Sequence, residues 1–282
     1  MNIIETKHLS YSYVEGKKAL DDVSITIPKG QITAFLGGNG AGKSTLFLNL
    51  NGVLTPNEGE VYLDGERVNY TKADIKALRR RVGIVFQDPN DQLFSSSVRK
   101  DIAFGAVNLK LPEQEVRRRV EEAIAQTGIE EYLSSPTHAL SFGQKKRVAI
   151  AGVLVMKPEV IILDEPTAGL DPSGVSEILN LLLHIQKETG ITLLIATHEI
   201  DLVPLYCHYV YVFDHGKVAL SGTTSEVFAQ KEQLRAHALR LPRIEHLMEI
   251  LKEKDGLNVN ELAATISQAR ASINTLVKEQ KR

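Results

Sequence analysis

Gly37-Gly38-Asn39-Gly40-Ala41-Gly42-Lys43-Ser44 follows the apolar stretch Gln31-Ile32-Thr33-Ala34-Phe35-Leu36, which reads as a strand. The glycine-rich stretch fits the phosphate-loop pattern, in which glycines at the first and sixth places precede Lys and Ser or Thr. Strand, glycine loop and helix in that order form the setting that gives the pattern a mechanism. The glycines let the backbone fold tightly around a polyphosphate, so consecutive N–H groups and the positive end of a helix starting near Gly42 converge on it. At this offset Lys43 reaches the β- and γ-phosphates and the Ser44 hydroxyl is placed for Mg2+. Glycines at this density also suit an ordinary turn, but a turn has no use for Lys-Ser at this offset.

Composition bounds the rest. With 282 residues, 43% of them hydrophobic, the chain has material for one large or two modest domains. No stretch nears the roughly 20 apolar residues that span a bilayer. The first residues, Met1 to His8, carry no basic patch ahead of an apolar core, so no secretory signal is expected. A single cysteine, Cys207, excludes an internal disulfide and suits a reducing compartment. The net charge of −2 supplies no general attraction to nucleic acid or anionic lipid. The expectation is a soluble, cytosolic chain whose membrane role, if any, depends on a protein partner.

Short strand-like segments at Ile3 to Tyr13, Val23 to Ile27 and Val61 to Leu63 predict an antiparallel patch beside the nucleotide core. Val82 to Phe86, Val160 to Leu163 and Ile191 to Ala196 are continuous apolar runs, as in strands buried on both faces of a parallel sheet. A helix over Ser176 to Thr189, closed by Gly190, joins the last two into a βαβ unit. Residues 113–127 predict an amphipathic helix between Pro112 and Gly128, with Arg117-Arg118-Arg119 set among glutamates on a solvated face. Beyond about residue 235, Ile244, Leu247, Met248 and Leu251, then Leu262, Ile266, Ala269, Ile273 and Leu276, recur at helical spacing, with Asn260 as the expected cap of the second run. This predicts a small helical extension that packs on the main domain, on a second copy or on its own core.

Val160 to Leu163 ends in Asp164-Glu165, carboxylates delivered at the C-terminal end of a buried strand, where α/β sites sit. An aspartate there holds Mg2+ through water, and a glutamate next to it orients or deprotonates an attacking water. A surface turn would explain an isolated Asp-Glu, but not one that accompanies a phosphate loop. Ile191 to Ala196 leads likewise into Thr197-His198-Glu199; a lone histidine is more often structural or exposed than catalytic, but its place at the same sheet edge favours a contact between His198 and the γ-phosphate. No histidine pair has the spacing of a zinc helix, so the only metal expected is nucleotide-bound Mg2+. Leu140-Ser141-Phe142-Gly143-Gln144 opens a helix and offers N–H groups and a hydroxyl, either an N-cap alone or a second anion site.

These segments together, with Gln87 after an apolar strand and Ala168-Gly169-Leu170-Asp171, resemble the ATP-binding-cassette family in order over roughly residues 3 to 235. The resemblance implies an α/β P-loop nucleotide hydrolase cassette with a mixed sheet core, an antiparallel β patch and a helical subdomain. It implies ATP and Mg2+ as ligands. ATP would be held by Tyr13 against adenine, with Tyr11 the less favoured candidate by position, and by Gly37, Gly38, Asn39, Gly40, Ala41, Gly42, Lys43, Ser44 and Thr45. Mg2+ would lie by Ser44, Gln87 and Asp164, and Glu165, His198 and Gln87 would serve hydrolysis. Ser141, Gly143 and Gln144 would contact ATP held by an opposite subunit, making the active unit a head-to-tail dimer, of two copies or with a paralogue. Phe142 departs from the commonest pattern, which has Gly there.

Phe86 to Phe94 and Leu239 to Ile244 further resemble ATPase subunits of energy-coupling-factor importers, especially the cobalt-importer branch. In that class the segment after Gln87 helps form a groove for a transmembrane coupling subunit, beside which a substrate-binding membrane subunit works; by themselves Leu93 and Phe94 are apolar residues in a polar loop, equally compatible with core packing. The implied chain is an ATP hydrolase coupled to import, peripheral on the cytoplasmic face of the cell membrane, without nucleic acid. Its cassette would span 1–235, with the helical subdomain at about 88–155, and a helical extension 236–282. Cobalt is the implied cargo, with nickel and vitamins as alternatives. A soluble cassette acting on ribosomes or DNA would more typically carry paired cassettes, and a small-molecule kinase would need neither the Ser141 segment nor His198.

Overall fold

The computed structural model describes residues 1–279. The final positions of the expected extension, 280–282, lie outside the described residues. A hairpin of β1 (Asn2–Val14) and β2 (Lys17–Pro28) precedes β3 (Ile32–Leu36), the glycine loop and α1 (Lys43–Leu50). Then come β4 (Glu58–Leu63), β5 (Glu66–Arg67), α2 (Lys72–Arg81) and β6 (Val82–Val85). Helices α3 (Val98–Asn108), α4 (Glu113–Thr127) and α5 (Phe142–Leu154) separate β6 from β7 (Val160–Asp164). The chain continues through α6 (Pro172–Thr189), β8 (Thr192–Ala196), α7 (Val203–Tyr206), β9 (Tyr209–Asp214) and β10 (Lys217–Thr223). It closes with α8 (Thr224–Phe228), α9 (Lys231–Ala236), α10 (Arg243–Glu253) and α11 (Ile266–Glu279).

Two sheets result. The first is antiparallel, in the order β2-β1-β4-β5; the second runs β10-β9-β3-β8-β7-β6, parallel from β9 to β6 with β10 antiparallel at its edge. The continuous apolar runs are explained by the pleat, which sends alternate residues to opposite faces. In β7, Val160 and Ile162 enter the core shared with the antiparallel sheet, whereas Ile161 and Leu163 enter the core under α3 to α6. β8 divides the same way, Leu194 and Ala196 against Leu193 and Ile195. Phe35 of β3 packs against Phe47, Tyr211 and Phe213 at centroid separations of 5.1, 5.5 and 5.9 Å, locking the strand before the glycine loop to α1 and β9. Buried aromatic contacts of this kind stabilise beyond their area alone.

The boundaries differ from the sequence pattern where polar residues carry structure. α6 begins at Pro172 rather than Ser176, because Asp171 accepts a hydrogen bond from Gly174 N at 2.7 Å and Pro172 needs no donor in the first turn. Asn260 does not cap the last helix. Its side chain accepts from Leu262 N at 3.1 Å, closing a local turn, and Thr265 accepts from Gln268 N at 3.3 Å just before α11 starts at Ile266. Met248, Val259, Ala263 and Ala269 make a separate small core for α10 and α11. The arginine run on α4 does pair with glutamates, but Arg119 is mostly buried and also donates to the Met156 carbonyl at 3.2 Å.

Candidate functional site

The glycine loop is shaped by contacts that exclude side chains. Gly37 has φ +140, and a Cβ there would lie 2.2 Å from the Phe213 carbonyl oxygen; at Gly42, φ +107, it would lie 2.7 Å from that of Ala19. Gly40, φ +78, has nothing within 4 Å of an added Cβ and faces open space. Lys43 folds over the loop and donates to the carbonyls of Gly37 at 2.6 Å and Gly38 at 3.1 Å. Burial lowers the Lys43 pKa, opposed by the negative charges of Glu165 and Asp164.

Parallel strands deliver the other groups to the same edge. β7 ends in Asp164, and Glu165 turns the chain with φ +48, a left-handed conformation uncommon outside glycine and frequent at functional sites. Its N–H donates to the Ala196 carbonyl at 3.1 Å, and its own carbonyl accepts from Ala168 N at 3.1 Å and from Lys146 Nζ at 3.0 Å. Burial pushes the Glu165 carboxyl up to about 7, with Lys43 and the His198 N–H pulling the other way. His198 donates its backbone N–H to Glu165 Oε2 at 3.3 Å, and its Nε2 stands 3.1 Å from Oε1 without hydrogen-bond alignment. Burial, then Lys43, lowers the His198 pKa, which favours the neutral ring.

Tyr13, Asn39 to Thr45, Gln87, Asp164, Glu165 and His198 line one cleft of about 420 Å³. Tyr13 stands at its mouth, exposed, edge-on to Tyr11 at 5.0 Å with its hydroxyl 3.2 Å from Thr45 Oγ1; Tyr11 packs against the core instead. Ala19, whose carbonyl crowds Gly42, also lines this cleft and carries no chemical signal that a sequence reading detects. Ser44, Gln87 and Asp164 border both this cleft and a neighbouring one beside Phe142 and Gly169. They present a hydroxyl, an amide and a carboxylate to shared space, and such hard oxygen donors fit Mg2+. Among the described residues, no group of three or more His, Cys, Asp and Glu side chains forms a separate metal site.

Ser141, Gly143 and Gln144 are not in that cleft. They line another, of about 530 Å³, with Gly128, Tyr132 and Asp171. Gln144 acts locally there, its Oε1 accepting from Ser141 N at 2.8 Å while Ser141 Oγ accepts from Gln144 N at 3.3 Å, a capping box that starts α5. A fourth cleft, about 810 Å³, runs between α2, α3 and α5; Leu93, Phe94, Phe104 and Met156 form its apolar wall, and Lys72, Lys76, Arg79 and Arg80 its basic rim. Lys146 is the residue that spacing alone does not single out: on α5 it lies buried, its pKa lowered by burial to about 8 and opposed by Asp88, Glu165 and Asp164.

Residues 20–168, more than half of the chain, match the ABC transporter family. The chain belongs to that family. Within it, this ABC protein is 59% identical over 273 residues to the energy-coupling factor transporter ATP-binding protein EcfA2 of Clostridium perfringens, an alignment covering 97% of this chain and 96% of the relative. It is 49% identical over 279 residues to EcfA of Methanocaldococcus jannaschii, covering 99% of each. A solved structure of cbiO1 from Clostridium perfringens, part of the ABC transporter complex cbiONQ, matches with TM-score 0.77 and 59% identity over 88% of this chain and 99% of that one. The cassette MJ0796, solved as a dimer in a post-hydrolysis state with ADP and phosphate, matches with TM-score 0.70 and 27% identity over 79% and 99%. The mixed and antiparallel sheets with their helices are therefore the ABC cassette fold, and the protein is an ABC-type ATPase that binds ATP. No helix among its described residues is long and apolar enough to cross a membrane.

Proposed function

We propose that the chain is the ATP-hydrolysing subunit of an energy-coupling-factor importer and works as a head-to-tail pair. The observation that carries this reading is the division of the nucleotide groups between two clefts of one chain. Lys43, Glu165 and His198 line one, whereas Ser141 and Gly143 line the other. A second subunit turned end for end brings its Ser141 and Gly143 over the ATP of the first. ATP then bridges the pair, and loss of the γ-phosphate removes the bridge and lets the pair open.

Within each half, Tyr13 stacks on the adenine, and the N–H groups from Asn39 to Thr45 surround the phosphates together with Lys43. Ser44, Gln87 and Asp164 hold Mg2+, which when bound screens the phosphate oxygens. Glu165 orients the attacking water and takes its proton, and His198 holds the γ-phosphate side of the cleft. The groove walled by Phe94 and Phe104 receives helices of a transmembrane coupling subunit, with a substrate-binding membrane subunit beside it, on the cytoplasmic face of the membrane. Residues 1–235 form the cassette, with its helical subdomain at about 88–155, and 236–282 the extension. Cobalt ions are the proposed cargo, supported by the resemblance of residues 86–94 and 239–244 to the cobalt-importer branch and by the likeness to cbiO1. Cobalt uptake by the assembled complex, with nickel and vitamins as competitors, tests the cargo. Glu165→Gln tests the catalytic assignment: it is expected to bind ATP and accumulate a dimer with little turnover, and parent-like hydrolysis overturns it.

A further inference from the structure

A lysine ammonium has three N–H bonds to satisfy, and burying it is unfavourable unless each finds a partner. Lys146, 1% exposed, is among the largest fully buried side chains of the protein. Its Nζ donates to the Gln87 carbonyl at 2.9 Å and to the Glu165 carbonyl at 3.0 Å, and it lies 5.3 Å from the centre of the Phe142 ring. Two carbonyls accept from the ammonium, and the π face of Phe142 lies within cation–π range of it. The two flanking basic residues on α5 do nothing similar: Lys145 reaches the Asn90 side chain at 2.8 Å, and Arg147 reaches the Thr127 carbonyl and Glu177.

Phe142 is part of the same arrangement. Its ring also presses on Gly169, where an added Cβ would come within 2.9 Å of Cε1. The residue that departs from the commonest signature pattern thus fills the space between the buried ammonium and the loop that follows Glu165. Glu165 itself sits at φ +48, an unfavourable backbone state that persists only where its surroundings hold it.

We propose that Lys146 is a positioning residue for hydrolysis: from the signature helix it ties the backbone of Gln87 to that of Glu165, so that both groups keep one spacing at the ATP and follow α5 when it moves. The proposal rests on the reading of Glu165 as the catalytic carboxylate. The link crosses three segments far apart in sequence, and Lys146 holds the backbone of two cleft residues without lining the nucleotide cleft itself. A purely space-filling role needs no charged group, since a methionine has nearly the same shape.

The test uses the full-length chain with MgATP, comparing the parent with Lys146→Met, Lys146→Arg and Glu165→Gln. Lys146→Met is expected to hold ATP with affinity and KM within about twofold of the parent while kcat falls about tenfold, the pattern of a lost alignment. Lys146→Arg keeps donors for both carbonyls and is expected to recover most of that kcat. The proposal is overturned if Lys146→Met retains the parent's kcat. It is equally overturned if kcat, nucleotide affinity and melting temperature fall together without recovery in the Arg variant. Should Lys146→Met fail to fold, Lys146→Arg decides, because a folded Arg variant as slow as Glu165→Gln contradicts the role. An error in the Glu165 assignment shows separately, as parent-like turnover in Glu165→Gln.

Discussion

Asp201 accepts both arms of the Arg240 guanidinium, at 3.1 and 2.6 Å, and the Arg243 backbone N–H at 2.6 Å. The aspartate lies three positions beyond His198, while Arg240 lies between α9 and α10 and Arg243 opens α10. Burial alone would raise the Asp201 pKa, but the bonds from Arg240 and Arg243 outweigh it and hold the carboxyl below its usual value. A group depressed in this way stabilises the fold above its unfolded pKa and loses that contribution as pH falls through its folded one. Arg240→Ala is expected to lower stability by about 1 kcal/mol, because the Arg243 amide remains. Asp201→Ala removes every acceptor and is expected to lower it further, with quicker proteolytic release of the C-terminal helices. Melting curves and limited proteolysis at pH 7 check both.

Glu245, on α10, is 1% exposed, and neither carboxylate oxygen has a hydrogen-bond partner among the described residues. Burial pushes its pKa from 4.5 up to about 7; Lys231 opposes the shift, and Glu249 and Glu261 add to it. Glu249 and Glu261 themselves stay ionised in this range, held low by Arg235, Lys231 and Lys252 despite burial. The folded state therefore keeps a proton on Glu245 that the unfolded chain has already lost. Stability from this group falls as pH rises between about 4.5 and about 7. Glu245→Gln keeps the shape without the ionisation, so it is expected to exceed the parent by on the order of 2 kcal/mol at pH 8 and to match it near pH 4.5. Thermal denaturation across that range reads the difference; an equal gap at every pH contradicts it.

How much of this is legible in the chain depends on the distance over which each feature is encoded. The glycine loop and the apolar runs of β7 and β8 are local patterns, and the structure forms them close to where the residues indicate. The start of α11 departs from the repeat because Leu262 continues the helical spacing while Asn260 and Thr265 settle the backbone, and periodicity ignores such bonds. The site divides likewise. Asp164, Glu165 and His198 announce themselves at strand ends, and the structure brings them beside Lys43. Lys145, Lys146 and Arg147 read as one basic run, although only Lys146 turns inward, a fate set by Gln87 and Glu165 rather than by its neighbours.

Two glycines of the loop allow its shape and its binding surface to be separated. Alanine at Gly37 meets the Phe213 carbonyl at 2.2 Å on a backbone at φ +140, so β9 or the loop has to shift. Gly37→Ala is expected to lose at least about 2 kcal/mol of stability along with ATP affinity. Alanine at Gly40 meets nothing within 4 Å, so it disturbs the fold less, by roughly 1 kcal/mol of left-handed strain, and projects a methyl toward the cleft. Gly40→Ala is accordingly expected to retain most of its melting temperature while weakening ATP binding. Paired melting and nucleotide-titration measurements separate the two; if both variants lose affinity only in proportion to stability, the loop backbone does not contact the nucleotide.

Phe94 and Phe104 pack edge to face at 4.7 Å, yet they remain 64% and 47% exposed. Two aromatic rings held against each other in water leave apolar surface that a partner's burial would stabilise, at roughly 25 cal/mol per Å² removed from solvent. Asp101 fixes the segment that presents Phe94, accepting the N–H groups of Phe94 and Ser95 at 3.0 and 2.7 Å. The pair is thus displayed on an ordered wall of the groove, at little cost in ordering when a helix docks. Phe94→Ala is expected to leave the melting temperature of the isolated chain nearly unchanged, since an exposed ring contributes little to its core. The double variant Phe94→Ala/Phe104→Ala is expected to reduce recovery of the chain with the detergent-extracted membrane subunits by tenfold or more, which corresponds to about 1.4 kcal/mol of lost binding. Co-purification of tagged parent and variant chains, measured at equal expression, checks it. Undiminished recovery of the double variant would place the coupling subunit on another face of the cassette.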